Sequence, residues 1–82
     1  MRFQNKAVLV TGASRNTGLG IAARFAAEGA TVFVNATTVE GVARAVADLQ
    51  SRGAERLIEA PADLGDPAAV EALFTLIRKR TG

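Results

Sequence analysis

The chain has 82 residues, 49% of them apolar, with a formal net charge of +2 and neither cysteine nor histidine. Such a composition belongs to folded rather than disordered material, yet it excludes disulfide staples and the usual histidine and cysteine metal sites. The basic residues are scattered apart from Arg78, Lys79 and Arg80, and there is no Trp or Tyr to stack on bases, so no nucleic-acid surface is expected. Its apolar runs are far too short to span a bilayer and no charged-then-apolar leader opens it, so a cytoplasmic location is expected.

Ala7 to Val10 is an apolar run without alternation, as expected of a strand covered on both faces. The glycine-rich stretch Thr11 to Gly20, TGASRNTGLG, leads from it into a helix from about Thr17 to Glu28. Ile21, Ala22, Phe25 and Ala26 mark one face of that helix, Arg24 and Glu28 the other, and Gly29 is its expected stop. Thr31 to Asn35 is β-branched and aromatic, hence a second strand. Thr37 to Glu40 matches a capping box, and Val39, Val42, Ala43, Val46 and Leu49 form the stripe of a second helix ending near Gly53.

Arg56 to Ala60 reads as a third, weaker strand, because Pro61 limits its hydrogen-bond ladder. Asp66 as N-cap and Pro67 at the first helical position begin a third helix, with Val70, Leu73, Phe74 and Ile77 at i, i+3, i+4 and i+7. Arg78, Lys79 and Arg80 close it, where cations complement the helix dipole. The order β-α-β-α-β-α predicts an α/β fold with a parallel sheet and right-handed crossovers.

A glycine-rich turn between a strand and a helix aims free backbone N–H groups and the positive end of the helix dipole at one spot, which suits a phosphate. Two familiar nucleotide motifs fail on register. Gly18 to Ala23, GLGIAA, fits G-x-G-x-x-G/A, but Gly18 lies seven residues past Thr11 and most of the motif lies within the helix. A P-loop fails because five residues separate Gly12 from Gly18 and Leu19 stands where lysine is needed.

What remains, Thr11-Gly12, three residues, Asn16, one residue, Gly18, resembles the TGxxxGxG pattern of the short-chain dehydrogenase/reductase family. The resemblance runs along the whole chain and looks nearest to the 3-oxoacyl-acyl-carrier-protein reductases. TGASR, NATTVEG after the second strand and Ala62 to Asp66, ADLGD, fall where that family makes cofactor contacts. It implies that Gly12 allows the turn, that Ser14, Arg15, Asn16 and Thr17 line the phosphates, and that Gly18 lets the helix approach the strand. Asn16 replaces the usual middle glycine, a mild departure because asparagine tolerates a left-handed backbone, though it adds bulk near the pyrophosphate.

The family's NAD-binding members end the second strand in an acidic residue for the ribose 2′-hydroxyl. Here the positions read Asn35, Ala36, Thr37 and Thr38, and Arg15 offers a cation, so NADP(H) is expected over NAD(H). Thr37 could serve a 2′-phosphate and also cap the second helix, while Arg15 could be a solvated surface arginine. Asp63 falls where the family bonds the adenine amino group and Leu64 where it lays an apolar residue beside the ring. Their plainer alternatives are a turn carboxylate and a core leucine.

The resemblance further implies the N-terminal half of a Rossmann-type doubly wound parallel sheet, strand order 3-2-1. Residues 1–82 would be a partial dinucleotide-binding domain that stops before a fourth strand. The family's catalysis needs a serine, a tyrosine and a lysine four residues after it; this chain has no tyrosine, so no catalytic residue is carried over. The expected function is the cofactor-binding N-terminal portion of an NADP(H)-dependent carbonyl/alcohol oxidoreductase, inactive alone and without a metal. Its expected partner is the missing C-terminal half, or a second copy through the open edge of the first strand. The alternative is a non-catalytic nucleotide-binding or interaction module complete at 82 residues.

Overall fold

The computed structural model describes residues 3–13 and 15–81, so Ser14 lies outside the described residues. The elements are β1 (Ala7–Val10), α1 (Asn16–Ala27), β2 (Thr31–Val34), α2 (Val39–Ser51), β3 (Leu57–Glu59) and α3 (Pro67–Thr81). All three strands are parallel, with Ala7 opposite Thr31 and Val10 opposite Val34 in one pair, and Val32 opposite Leu57 in the other. The order is β1-β2-β3, which read from the opposite edge is 3-2-1.

Side chains alternate across a strand, so β2 feeds two cores at once. Val32 and Val34 face α1 and α2, packing with Val10, Leu19, Ala22, Val42, Ala45 and Leu49. Phe33 points the other way, toward Ala60, Ala62 and Leu73 of α3. All three β2 side chains are buried, and enclosing Phe33 alone contributes about 2–3 kcal/mol. β2 is thus covered on both faces; β1 is covered on both faces less completely, Val8 and Val10 packing into one cluster and Leu9 against the other. β1 has a strand on one side only among the described residues, and Val8 and Leu9 are half-buried.

The helix starts and stops follow local chemistry. Gly29 takes φ 91°, a conformation that glycine adopts at little cost, and its N–H donates to Ala26 O at 3.1 Å while that of Ala30 donates to Phe25 O. Asp66 Oδ1 accepts from Ala68 N at 3.1 Å, so the expected cap precedes Pro67. At α2 the cap is one residue later than the sequence suggested. Thr38 Oγ1 accepts from Gly41 N at 3.0 Å, which leaves Thr37 outside the helix and Glu40 outside any capping box.

That shift also turns the helical stripe. Val39 is 61% exposed and Ala43 is exposed, whereas Ala45 joins Val42 and Leu49 in the core. Likewise Ile21 is exposed and Leu19 buried on α1, and Phe74 is 50% exposed beside buried Leu73 on α3. None of the described helices is long and apolar enough to cross a membrane.

Candidate functional site

The three loops that follow the parallel strands meet at one end of the sheet and enclose a cleft of about 430 Å³. Thr11, Gly12 and Arg15 come from the loop after β1, Asn35 to Thr38 from that after β2, and Ala62 to Gly65 from that after β3; Gly41 and Arg44 of α2 complete it. The carboxyl end of a parallel sheet is where open α/β folds bind ligands, since helix N-termini converge there. A second depression, about 280 Å³, lies at the other end of the strands beside Gly29 and Gly53, which follow the C-termini of α1 and α2. The dipole there has the wrong sign for a phosphate.

Two glycines shape the first loop in different ways. Gly12 has φ 63° and nothing within 4 Å of where a Cβ would stand, so the turn is left-handed and its outer side is open to the cleft. Gly18 is buried beneath it. A Cβ on Gly18 would run into the Gly12 carbonyl oxygen and stand 2.8 Å from Gly12 C and 2.9 Å from Ala13 Cα. The close approach of α1 to the turn thus requires glycine at position 18.

The N-terminus of α1 is uncapped by any described side chain. Arg15 occupies the N-cap with extended dihedrals and makes no cap bond, and no acidic residue lies in the first turn. The first helical bond runs from Leu19 N to Arg15 O, 2.8 Å, so the N–H groups of Asn16, Thr17 and Gly18 have no acceptor among the described residues. Asn16 is helical and has no positive φ; it substitutes for glycine without backbone strain, and the left-handed tolerance expected of it is not used.

The second loop is anchored by Asn35, a buried polar residue only 2% exposed. Its Nδ2 donates to Ala60 O at 2.8 Å and to Ala62 O at 3.3 Å. Its backbone N–H donates to Val10 O, and its carbonyl accepts from Ala13 N at 2.9 Å. The side chain and backbone of this one residue therefore tie the glycine turn to the ends of both other strands. Beyond it, Thr37 is exposed with no described bond to its hydroxyl, because the capping belongs to Thr38.

In the third loop, Asp63 Oδ1 accepts from Gly65 N at 2.9 Å, so Asp63 is a turn carboxylate with Oδ2 left over. Leu64 is 47% exposed on the cleft wall, which removes the core-leucine alternative. Of the residues singled out from sequence, Gly12, Arg15, Thr37, Asp63 and Leu64 line one cleft, Gly18 supports it from below, and Asn16 and Thr17 stand exposed on the α1 first turn outside its lining. Sequence reasoning missed Asn35 as a strut and Arg44 as a lining cation. Arg44 was findable: Thr38, Gly41 and Arg44 step by three residues along one face of α2.

The donor set suits a dinucleotide phosphate: an open glycine turn, an uncapped helix start, and arginines in a cleft lined by one described carboxylate, Asp63. In comparison with known proteins, residues 6–82 match the family described as short chain dehydrogenase. The chain belongs to that family.

Its short-chain dehydrogenase relatives include the 3-oxoacyl-acyl-carrier-protein reductase FabG of Escherichia coli, 39% identical over 82 residues, all of this chain and 32% of that protein. A 1-deoxy-11-beta-hydroxypentalenate dehydrogenase of Streptomyces exfoliatus is 41% identical over 73 residues, 89% of this chain and 26% of that one. Among solved structures, an actinorhodin polyketide ketoreductase variant with NADPH matches at TM-score 0.85 and 34% identity, over 94% of this chain and 29% of that one. The chain spans about a third or less of the length of these relatives. Among the described residues no group of three or more acidic, cysteine or histidine side chains is placed to hold a metal ion.

Proposed function

We propose that this chain is the NADP(H)-binding N-terminal portion of a short-chain carbonyl/alcohol oxidoreductase. The observation that carries the NADP(H) reading is the wall of the cleft at the end of β2. It presents Thr37 with a free hydroxyl and Arg15 without a described carboxylate partner, and the acidic position of an NAD-binding site is absent. A 2′-phosphate is attracted by that wall, whereas an aspartate in it would repel the phosphate.

When bound, the nicotinamide dinucleotide supplies hydride chemistry. The chain's own residues bind and orient. The N–H groups of Asn16, Thr17 and Gly18 and the α1 dipole hold the pyrophosphate, with the open side of Gly12 beside it. Thr37 and Arg15 hold the 2′-phosphate, Asp63 Oδ2 accepts from the adenine amino group, and Leu64 lies against the ring. No residue here is assigned to proton transfer, which belongs to the rest of such an enzyme. The free edge of β1 is the seam to that remainder, or in its absence to a second copy of the chain.

Titrating the chain with NADPH and with NADH, followed by nicotinamide fluorescence, tests the reading. NADPH binding at least about tenfold tighter is expected from one charge-assisted contact to the extra phosphate. Equal affinity for the two, or binding of neither, overturns it.

A further inference from the structure

Arg44 lies six residues into α2, yet its side chain lines the cleft with Arg15 and Thr37. Its surroundings on the helix make that placement informative. Glu40 is at i−4 and Asp48 at i+4, the two spacings at which helical ion pairs form. Neither pair is made. Asp48 Oδ1 is taken by Arg52 Nε at 2.6 Å, and Glu40 does not line the cleft. Arg44 therefore has two carboxylates within sequence reach, pairs with neither, and lines the cleft. The cleft's charged lining is Arg15, Arg44 and Asp63, and Asp63 has one carboxylate oxygen committed to Gly65 N.

Two arginines from different elements therefore flank the threonine loop that ends β2. A cleft lined by two arginines and an exposed threonine carries more positive charge than a neutral ribose requires and matches a dianionic phosphate monoester, which can take a forked contact from a guanidinium. Thr38 Oγ1 accepts from Gly41 N as the α2 cap, which fixes the side chain on the helix.

We infer that Arg44 is a second specificity-determining cation, closing on the 2′-phosphate of NADPH from the α2 side while Arg15 closes from the α1 side. The inference rests on the NADP(H) reading of the same cleft. It makes the preference for the phosphorylated cofactor the work of two elements rather than of the glycine loop alone.

The test is titration of the full chain and of Arg44→Gln, Arg44→Lys and Arg15→Gln with NADPH, NADH and adenosine 2′,5′-bisphosphate. Arg44→Gln should weaken NADPH and the bisphosphate about tenfold and leave NADH within about twofold, with Arg44→Lys recovering part of the loss. Circular-dichroism melting of each variant identifies any that fail to fold. If Arg44→Gln binds NADPH as the parent does while Arg15→Gln does not, the Arg44 inference falls and the NADP(H) reading stands. If Arg44→Gln is folded and loses NADPH and NADH equally, the inference falls as well. A parent chain with no preference for NADPH overturns both.

Discussion

The side-chain amide of Asn35 donates to the carbonyl of Ala60 at 2.8 Å, joining the end of β2 to the end of β3 inside the protein. A donor is what that place requires, because the two groups it meets, Ala60 O and Ala62 O, are both acceptors. Position 35 is therefore closed to the acidic residue that reads a ribose 2′-hydroxyl elsewhere in such folds. Beyond buried Ala36, Thr37 is the first exposed side chain after β2, and it is the one proposed to meet the 2′-phosphate.

Asn35→Asp accordingly should not convert the site to NAD(H). A carboxylate there faces two carbonyl oxygens out of water, and loss of about 3 kcal/mol of stability is expected. Urea unfolding of parent and variant measures it. A midpoint that does not move, or a new preference for NADH in a folded variant, contradicts the strut role.

Gly18 and Gly20 both lie in α1, and they should respond oppositely to alanine. The added methyl at position 18 meets the backbone of Gly12 and Ala13, so Gly18→Ala should cost about 1–3 kcal/mol and displace the glycine turn. At position 20 there is nothing within 4 Å, and Gly20→Ala should add about 0.5–1 kcal/mol through helix propensity. Thermal melts of the two variants decide it, and equal shifts would falsify the close-approach account.

The neighbouring threonines divide stability from binding. Thr38→Ala removes the α2 cap and should lower stability by about 1 kcal/mol. Thr37→Asp leaves the cap in place and should change stability by no more than about 0.5 kcal/mol, while placing a negative charge where the 2′-phosphate is expected. NADPH affinity should then drop at least about tenfold with NADH affinity kept, read by the same fluorescence titration. A stability loss at Thr37 equal to that at Thr38 would return the cap to the earlier residue.

The alternation of elements was legible because each carries its own signal: β-branched Thr31 to Val34, proline after Asp66, glycine after Glu28. The loop residues singled out from sequence, Gly12, Arg15, Thr37, Asp63 and Leu64, share a cleft because the loops after parallel strands converge at one end of the sheet. What sequence hid depends on how elements pack. Thr37 and Thr38 are chemically equal caps, and the choice between them follows from where α2 lands on β2, which also turned Val39 outward. Burial of Asn35 has no local signature, for the acceptors it satisfies are 25 and 27 residues away. The central place of β2 followed from the expected 3-2-1 order, whereas the incomplete burial of Val8 and Leu9 on β1 depends on how much of the fold packs over them.

Leu64 offers the cleanest separation of the adenine end of the cleft from the phosphate end. A leucine 47% exposed beside a turn contributes little to the core, so Leu64→Ala should shift stability by no more than about 0.5 kcal/mol. If its side chain covers the adenine ring, its truncation removes apolar contact worth about 1 kcal/mol, or about fivefold in affinity. Adenine is common to both cofactors, so NADPH and NADH should weaken together and 5′-AMP should weaken with them. That pattern is opposite to the one expected at Thr37 and Arg15. A loss confined to NADPH, or none for any of the three ligands, would place the adenine elsewhere and leave exposed Leu64 without a binding role.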